Sequence, residues 1–282
     1  MITIFSIPKP FQGSINITQR NAILSWTLLE PKCEIILFND EKGTTSKVAK
    51  ELGVECINNI QRNKDGLPLL SDVFEKVYMR ANNKILAYVN SDIILMDDFL
   101  EAVKALSGLK QNTNLNFNEF LMLGRRWNLD IKEEINFNNN NWKQALKELI
   151  NKEGKLQGLS GTDYWIFPRT LKFKIPLFVV GQRGFENWFI YKARSLKVQV
   201  LDATKIINVI HQNHSRYLRR SNQAAANFSE MCTLRDVDWI LTSEGLQKPA
   251  YSRRIFATLS LFYPWRLILS IKRKLQNLAI TI

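Results

Sequence analysis

Cysteine, uninterrupted apolar sequence and flexible linker are all scarce in this chain of 282 residues. The cysteines, Cys33, Cys56 and Cys232, are odd in number, far apart and free of any C-x-x-C pattern. Neither a disulfide framework nor a zinc knuckle is suggested, and a reducing, cytoplasmic compartment is expected. The most apolar region, residues 255–271, is interrupted by Pro264 and Arg266, so it falls short of the roughly 20 residues that a spanning helix needs. The opening residues carry no basic leader with a long apolar segment, and Pro8 breaks them early; they read as a strand rather than a targeting signal. No Ser/Gly-rich stretch separates independent domains and no internal repeat is visible. Acids disappear after Glu244, whereas Lys248, Arg253, Arg254, Arg266, Lys272, Arg273 and Lys274 come after it.

What is present suffices for a large core: 45% of the residues are hydrophobic and 11% aromatic, which fits one large α/β domain or two small ones. Over the first hundred residues the apolar pattern alternates between the two periods of βαβ units. Strands are expected at residues 2–7, 34–39, 54–57 and 84–89, and helices at 18–29, 44–52 and 69–81. Such alternation gives a parallel sheet flanked by helices, with ligands bound beyond the carboxyl ends of the strands. Further on, a helix is expected at 98–107, a strand at 120–124, an Asn-rich loop at 136–141 and a helix at 142–152.

Polar residues fall at three of those strand ends: Pro8-Lys9-Pro10, Asn39-Asp40 and Asn90-Ser91-Asp92. The last breaks a near-continuous apolar run from Ile85 to Leu95. A buried carboxylate is costly unless paired or bound to a cation, so Asp92 needs a partner, and a divalent metal holding a diphosphate would be one; a plain turn is the alternative. The only two histidines, His211 and His214, lie three residues apart at the end of another apolar run. Imidazole suits a manganese-type ion. Glu186, in Gly181-Gln-Arg-Gly-Phe-Glu-Asn-Trp188, sits at an expected helix start among aromatic residues. There a carboxylate can accept a proton or merely complement the helix dipole. Asp163 precedes Tyr164 and Trp165, a grouping suited to sugar stacking or, alternatively, to a strand entering the core. Arg125 and Arg126 come after a strand and can contact phosphate or solvent.

Taken in order, Asn90-x-Asp92, Gly-Thr-Asp163, Gly-Phe-Glu186-Asn-Trp and His211-Gln-Asn-His214 resemble the motifs of glycosyltransferases of the GT-A fold over residues 1–220. The first departs from the family's D-x-D by carrying Asn. The resemblance implies a GT-A-like, Rossmann-type α/β domain with a mostly parallel sheet. Residues 1–107 would form its nucleotide-binding half and 108–220 its acceptor half, with a basic amphipathic helical extension at 221–282. It implies a hexosyltransferase-type enzyme moving a sugar from a nucleoside diphosphate sugar, most simply a UDP-sugar, to an acceptor hydroxyl on a glycan or lipid-linked molecule. Asp92 with His211 or His214 would hold Mn2+ or Mg2+. Asn90, Ser91 and Arg125 would contact the donor, and Asp40 the imide of its base. Glu186 would be the general base, and Asp163, Tyr164, Trp165, Asn187 and Trp188 would line the sugar or acceptor site.

The net charge of +13 and the basic, aromatic C-terminus suit peripheral contact with an anionic membrane as well as a solvated helix face. No nucleic acid partner is expected, although a membrane- or nucleic-acid-binding module without catalysis is the rival outside enzymes. A sugar-phosphate nucleotidyltransferase ranks low, because the loop Ile7–Gly13 carries a single glycine.

Overall fold

The structure, a computed structural model, describes residues 1–108, 119–182, 184–214 and 232–249. Its first half obeys the alternation in the sequence. Strands β1 (Ile2–Ser6), β2 (Glu34–Phe38), β3 (Glu55–Ile57) and β4 (Ile85–Val89) are separated by helices α1 (Gly13–Thr27), α2 (Thr44–Leu52) and α3 (Leu70–Arg80). All pairings among these strands are parallel, in the order β4-β1-β2-β3. β1 is buried along its whole length, as a strand covered by helices on both faces must be. Helix α1 starts five residues before the expected position, since its first turn Gly13–Asn16 carries Ile15 alone among small and polar residues and so shows no apolar period. Helix α2 ends where Gly53 takes a left-handed conformation, φ 66°.

The second half inserts antiparallel strands. β5 (Ile93–Ile94) and α4 (Asp97–Gly108) precede β6 (Phe120–Leu129), and α5 (Trp142–Glu153), β7 (Lys155–Leu156) and β8 (Thr162–Pro168) come next. After them come α6 (Phe185–Ser195), β9 (Gln199–Asp202), β10 (Val209–Gln212), β11 (Trp239–Thr242) and β12 (Gly245–Gln247). β8 lies antiparallel between β4 and β6, β9 runs parallel to β6, and β11 and β12 close that edge. β6 is ten residues long, twice the expected strand, because its second half leaves β8 and β9 to pair with β10 and β7. β10 in turn pairs with the two-residue β5. The result is an α/β fold with one large, mostly parallel sheet flanked by helices.

One face of the sheet buries Trp26, Phe99, Tyr164 and the aliphatic residues around them. The other buries a ladder of rings in which Trp165 stacks between Tyr88 and Phe189, at 4.6 and 4.9 Å. The compact unit runs from Met1 to Pro249. Within it, β11 finds its backbone partners on β9. The rest of the expected helical extension lies outside the described residues, as do Arg216, Arg219 and Arg220, which the sequence places just after the histidines, where they could bind a diphosphate or form a solvated basic helix face.

Candidate active site

Directly after β4 the chain turns through Asn90, Ser91 and Asp92 and closes with Ile93 N–H donating to Asn90 O at 3.1 Å. Helix α1 anchors the residues beyond this turn. Trp26 Nε1 donates to Ile93 O at 2.8 Å, and Ser25 Oγ accepts from Leu95 N at 3.0 Å. β10, laid antiparallel on β5, brings His211 opposite Ile93. The chain then bends: Asn213 N donates to Leu129 O at 2.8 Å, and Asn213 Nδ2 to Asp130 Oδ1 at 2.7 Å. Both histidines therefore reach one carboxylate, a point the sequence leaves open.

His214 Nε2 lies 3.0 Å and His211 Nε2 3.7 Å from Asp92 Oδ2, with the imidazole rings 5.4 Å apart. One ligand atom from each of the three residues falls within 4.8 Å of the others. Burial alone would raise the Asp92 carboxyl, but the hydrogen bond to His214, the two imidazoles and Lys9 bring it down to about 2. Burial pushes His211 below its ordinary value, against the pull of Asp92. Asp92 Oδ1 and His211 Nδ1 are buried without a hydrogen-bond partner among the described residues. A carboxylate and two imidazoles with such unused lone pairs form a donor set that a divalent cation of the manganese type fits.

Next to this cluster lies a second one centred on Asp163. Asn90 Nδ2 donates to Asp163 Oδ1 at 2.7 Å, Asn90 N to Asp163 O at 2.9 Å, and Arg126 to Asp163 Oδ2 at 2.6 Å. It is Arg126 that meets the acid, while Arg125, expected to contact the donor, does not, and the cause is a register shift. β6 and β8 pair regularly to Leu123 opposite Trp165, then slip so that Arg125 faces Thr162. An unbroken register would have set Arg125 opposite Asp163; the extra residue turns Arg126 to that face instead. Arg125 goes to the opposite face, where its charge acts on Asp202.

Glu186 stands in the first turn of α6, entered through Gly184 at φ 89°. Burial is the main reason that its carboxyl is pushed up to about 7. Asp163 adds to the rise, while nearby backbone N–H groups and Arg126 oppose it. Glu186 thus senses the charges of the Asp163 pair. Between the ends of β1 and β4, a cleft is lined by Lys9, Ile15, Thr18, Gln19, Ser91, Asp92 and His214. Gln19 ties its walls together, its Oε1 accepting from Lys9 N at 2.7 Å and from Ser91 Oγ at 2.9 Å.

Asn90, Ser91, Asp92, Asp163, His211 and His214 therefore converge, with Glu186 alongside. Five expectations are corrected besides Arg125. Asp40 spends its oxygens on the start of α2, accepting from Lys42 N, Thr44 Oγ1, Thr45 N and Thr45 Oγ1 at 2.5–2.8 Å. Three of these donors crowd Oδ2 and one takes Oδ1, so the carboxylate is turned to the start of α2 rather than to a base. Tyr164 and Trp165 are fully buried in the two cores, and Trp188 packs on Phe178 and Phe189. These rings cannot stack on a ligand. Asn187 is engaged with the backbone of Cys232 through two hydrogen bonds. Gln19 belongs to the site without having been singled out; Lys9 was noted only as one of the polar residues past β1, and Arg126 only as able to contact phosphate or solvent.

No protein-family description and no curated protein matches the chain. Among solved structures it is similar to glucosyl-3-phosphoglycerate synthase from Mycobacterium tuberculosis in complex with Mg2+ and uridine diphosphate. The two are 10% identical, the match covers 76% of this chain and 72% of that one, and the TM-score is 0.42. A second structure of that enzyme, with Mn2+, uridine diphosphate and glucosyl-3-phosphoglycerate, is 14% identical over 76% and 73% of the chains, TM-score 0.42. The chemistry open to the site is set by its own residues.

Proposed function

We propose that the protein is a glycosyltransferase that moves a sugar from a nucleoside diphosphate sugar, most simply a UDP-sugar, to an acceptor hydroxyl. The observation that carries this reading is the convergence of Asp92, His211 and His214 on one point at the carboxyl end of the sheet. Beside them stands a carboxyl whose proton affinity lies near neutrality. Asp92, His211 and His214 would hold a divalent ion, Mn2+ or Mg2+, which when bound neutralises the charge of a departing diphosphate. Lys9 adds a positive charge to the same cleft, where negative charge develops in the transition state. Glu186 accepts the proton of the acceptor hydroxyl; a base is most effective when its pKa lies close to the working pH. Asn90 and Arg126 hold Asp163 against this centre, so its carboxylate is oriented for sugar hydroxyls and cannot swing away. A glycan or lipid-linked acceptor on the inner face of a membrane is consistent with the basic C-terminal sequence.

The test is thermal unfolding of the full chain with UDP, GDP, CDP and ADP, each with and without Mn2+, since a ligand bound only by the folded state must stabilise it. A Mn2+-dependent rise with UDP, abolished in Asp92→Ala, is the expected result. The same melting temperature in every condition would overturn the reading.

A further inference from the structure

The residue between the two histidines has no place in the chemistry above, yet it is among the most completely satisfied side chains in the molecule. Gln212 is fully buried. Strand alternation turns it away from His211, toward α1. Its Nε2 donates to Thr18 O at 2.7 Å and to Asp92 O at 3.2 Å, and its Oε1 accepts from Asn21 Nδ2 at 3.0 Å. Asn21, 1% exposed, uses its remaining groups on the segment after β6, donating to Glu133 O and accepting from Ile135 N, both at 2.9 Å. Two interlocked amides thus tie together β10, α1, the peptide of Asp92 and residues 133–135.

Resting on the donor-metal reading, we infer that Gln212 is a positioning residue. It clamps the Asp92 carbonyl to the strand that carries His211 and to the helix that lines the cleft, and so sets where the three ligand side chains meet. The side chains of Asp92, His211 and His214 meet one another through Asp92 Oδ2, at 3.0 Å from His214 Nε2 and 3.7 Å from His211 Nε2. Asp92 Oδ1 and His211 Nδ1 have no hydrogen-bond partner among the described residues, so their aim depends on the backbone beneath them. Gln212 joins the two backbones through its side chain, at 3.2 Å from Asp92 O, in addition to its own N–H, which reaches the same carbonyl at a longer 3.5 Å.

The experiment is titration of the full chain with Mn2+ alone, reading free Mn2+ by its paramagnetic resonance signal well below the melting temperature. Gln212→Met keeps the length of the side chain and removes the clamp. Loss of a group that orients metal ligands costs about 10–100-fold in affinity, and that is the expected weakening. Val48→Ala, a core change on α2, serves as a control for general destabilisation and leaves the affinity unchanged. Asn21→Ala removes the donor to Gln212 Oε1 without touching β10, and a smaller weakening is expected there; it stands in if Gln212→Met does not fold. Equal Mn2+ affinity in the wild type and in whichever of the two variants folds overturns the inference while leaving the proposed function intact. Absence of Mn2+ binding in the wild type removes the metal reading on which both depend.

Discussion

Glu186 is the residue at which protein stability and catalysis make opposite demands. Its carboxyl titrates at about 7 in the folded protein against an ordinary 4.5. Between those values the folded state binds the extra proton, so stability falls as pH rises through that window and the loss is complete above about 7. Glu186→Gln removes the titrating group, so the variant is expected to be more stable than wild type above pH 7, by up to about 3 kcal/mol. The advantage disappears as the pH approaches 4.5. Urea midpoints measured across that range read this directly; parallel profiles for the two proteins would show that the carboxyl is not buried. In transfer assays the same variant is expected to lose about 10²–10⁴ in kcat, and the wild-type rate should climb with pH through 7 as the base is freed. Glu186 was singled out from its place at a helix start among aromatic residues, where an acid can also simply complement the helix dipole. Asp40 shows the limit of that logic. It also ends a strand, but the threonines just after it turn it into a helix cap, and a capping acid looks like a binding acid until the loop is folded.

Among the elements, β6 decides the site more than any other, and the feature responsible is its slip at Gly124. A Cβ built on Gly124 would sit 2.4 Å from the Tyr164 hydroxyl and 3.0 Å from Thr204 N. Gly124→Ala is therefore expected to destabilise the fold by about 1–3 kcal/mol, the usual cost of overpacking, and to loosen the register that presents Arg126 to Asp163. Denaturant titration measures the first effect; a wild-type midpoint would mean that Tyr164 moves aside without cost. The parallel units β1 to β4 were legible from periodicity because each strand is a short apolar run closed by polar residues. The slip was not, since one glycine in a strand does not announce which neighbour it will turn outward. Tyr164, Trp165 and Trp188 were misread for a related reason. Aromatic residues near an acid look alike whether they form a sugar platform or, as here, a stacked core.

For the whole molecule, the net charge of +13 is concentrated where the sequence has no acids to offset it, with seven basic residues and no carboxylate side chain after Glu244. No helix among the described residues is long and apolar enough to cross a membrane, and basic residues interleaved with aromatic ones, as in the C-terminal sequence, suit attachment to a bilayer surface. Each Lys or Arg near an anionic surface contributes about 1 kcal/mol, and the attraction fades beyond a screening length of about 10 Å at 0.1 M salt. The full chain is accordingly expected to sediment with phosphatidylserine-rich vesicles at low salt and to be released as the salt approaches about 1 M, where that length shrinks to about 3 Å. It should stay in the supernatant with phosphatidylcholine vesicles. Replacing Arg253, Arg254, Lys272, Arg273 and Lys274 with glutamine should abolish the sedimentation and leave the UDP and Mn2+ stabilisation unchanged, since Asp92, His211 and His214 are untouched by these changes. Binding that survives those changes, or that is equal on neutral lipid, would mean that the charge serves some other partner and that the acceptor reaches the cleft from solution.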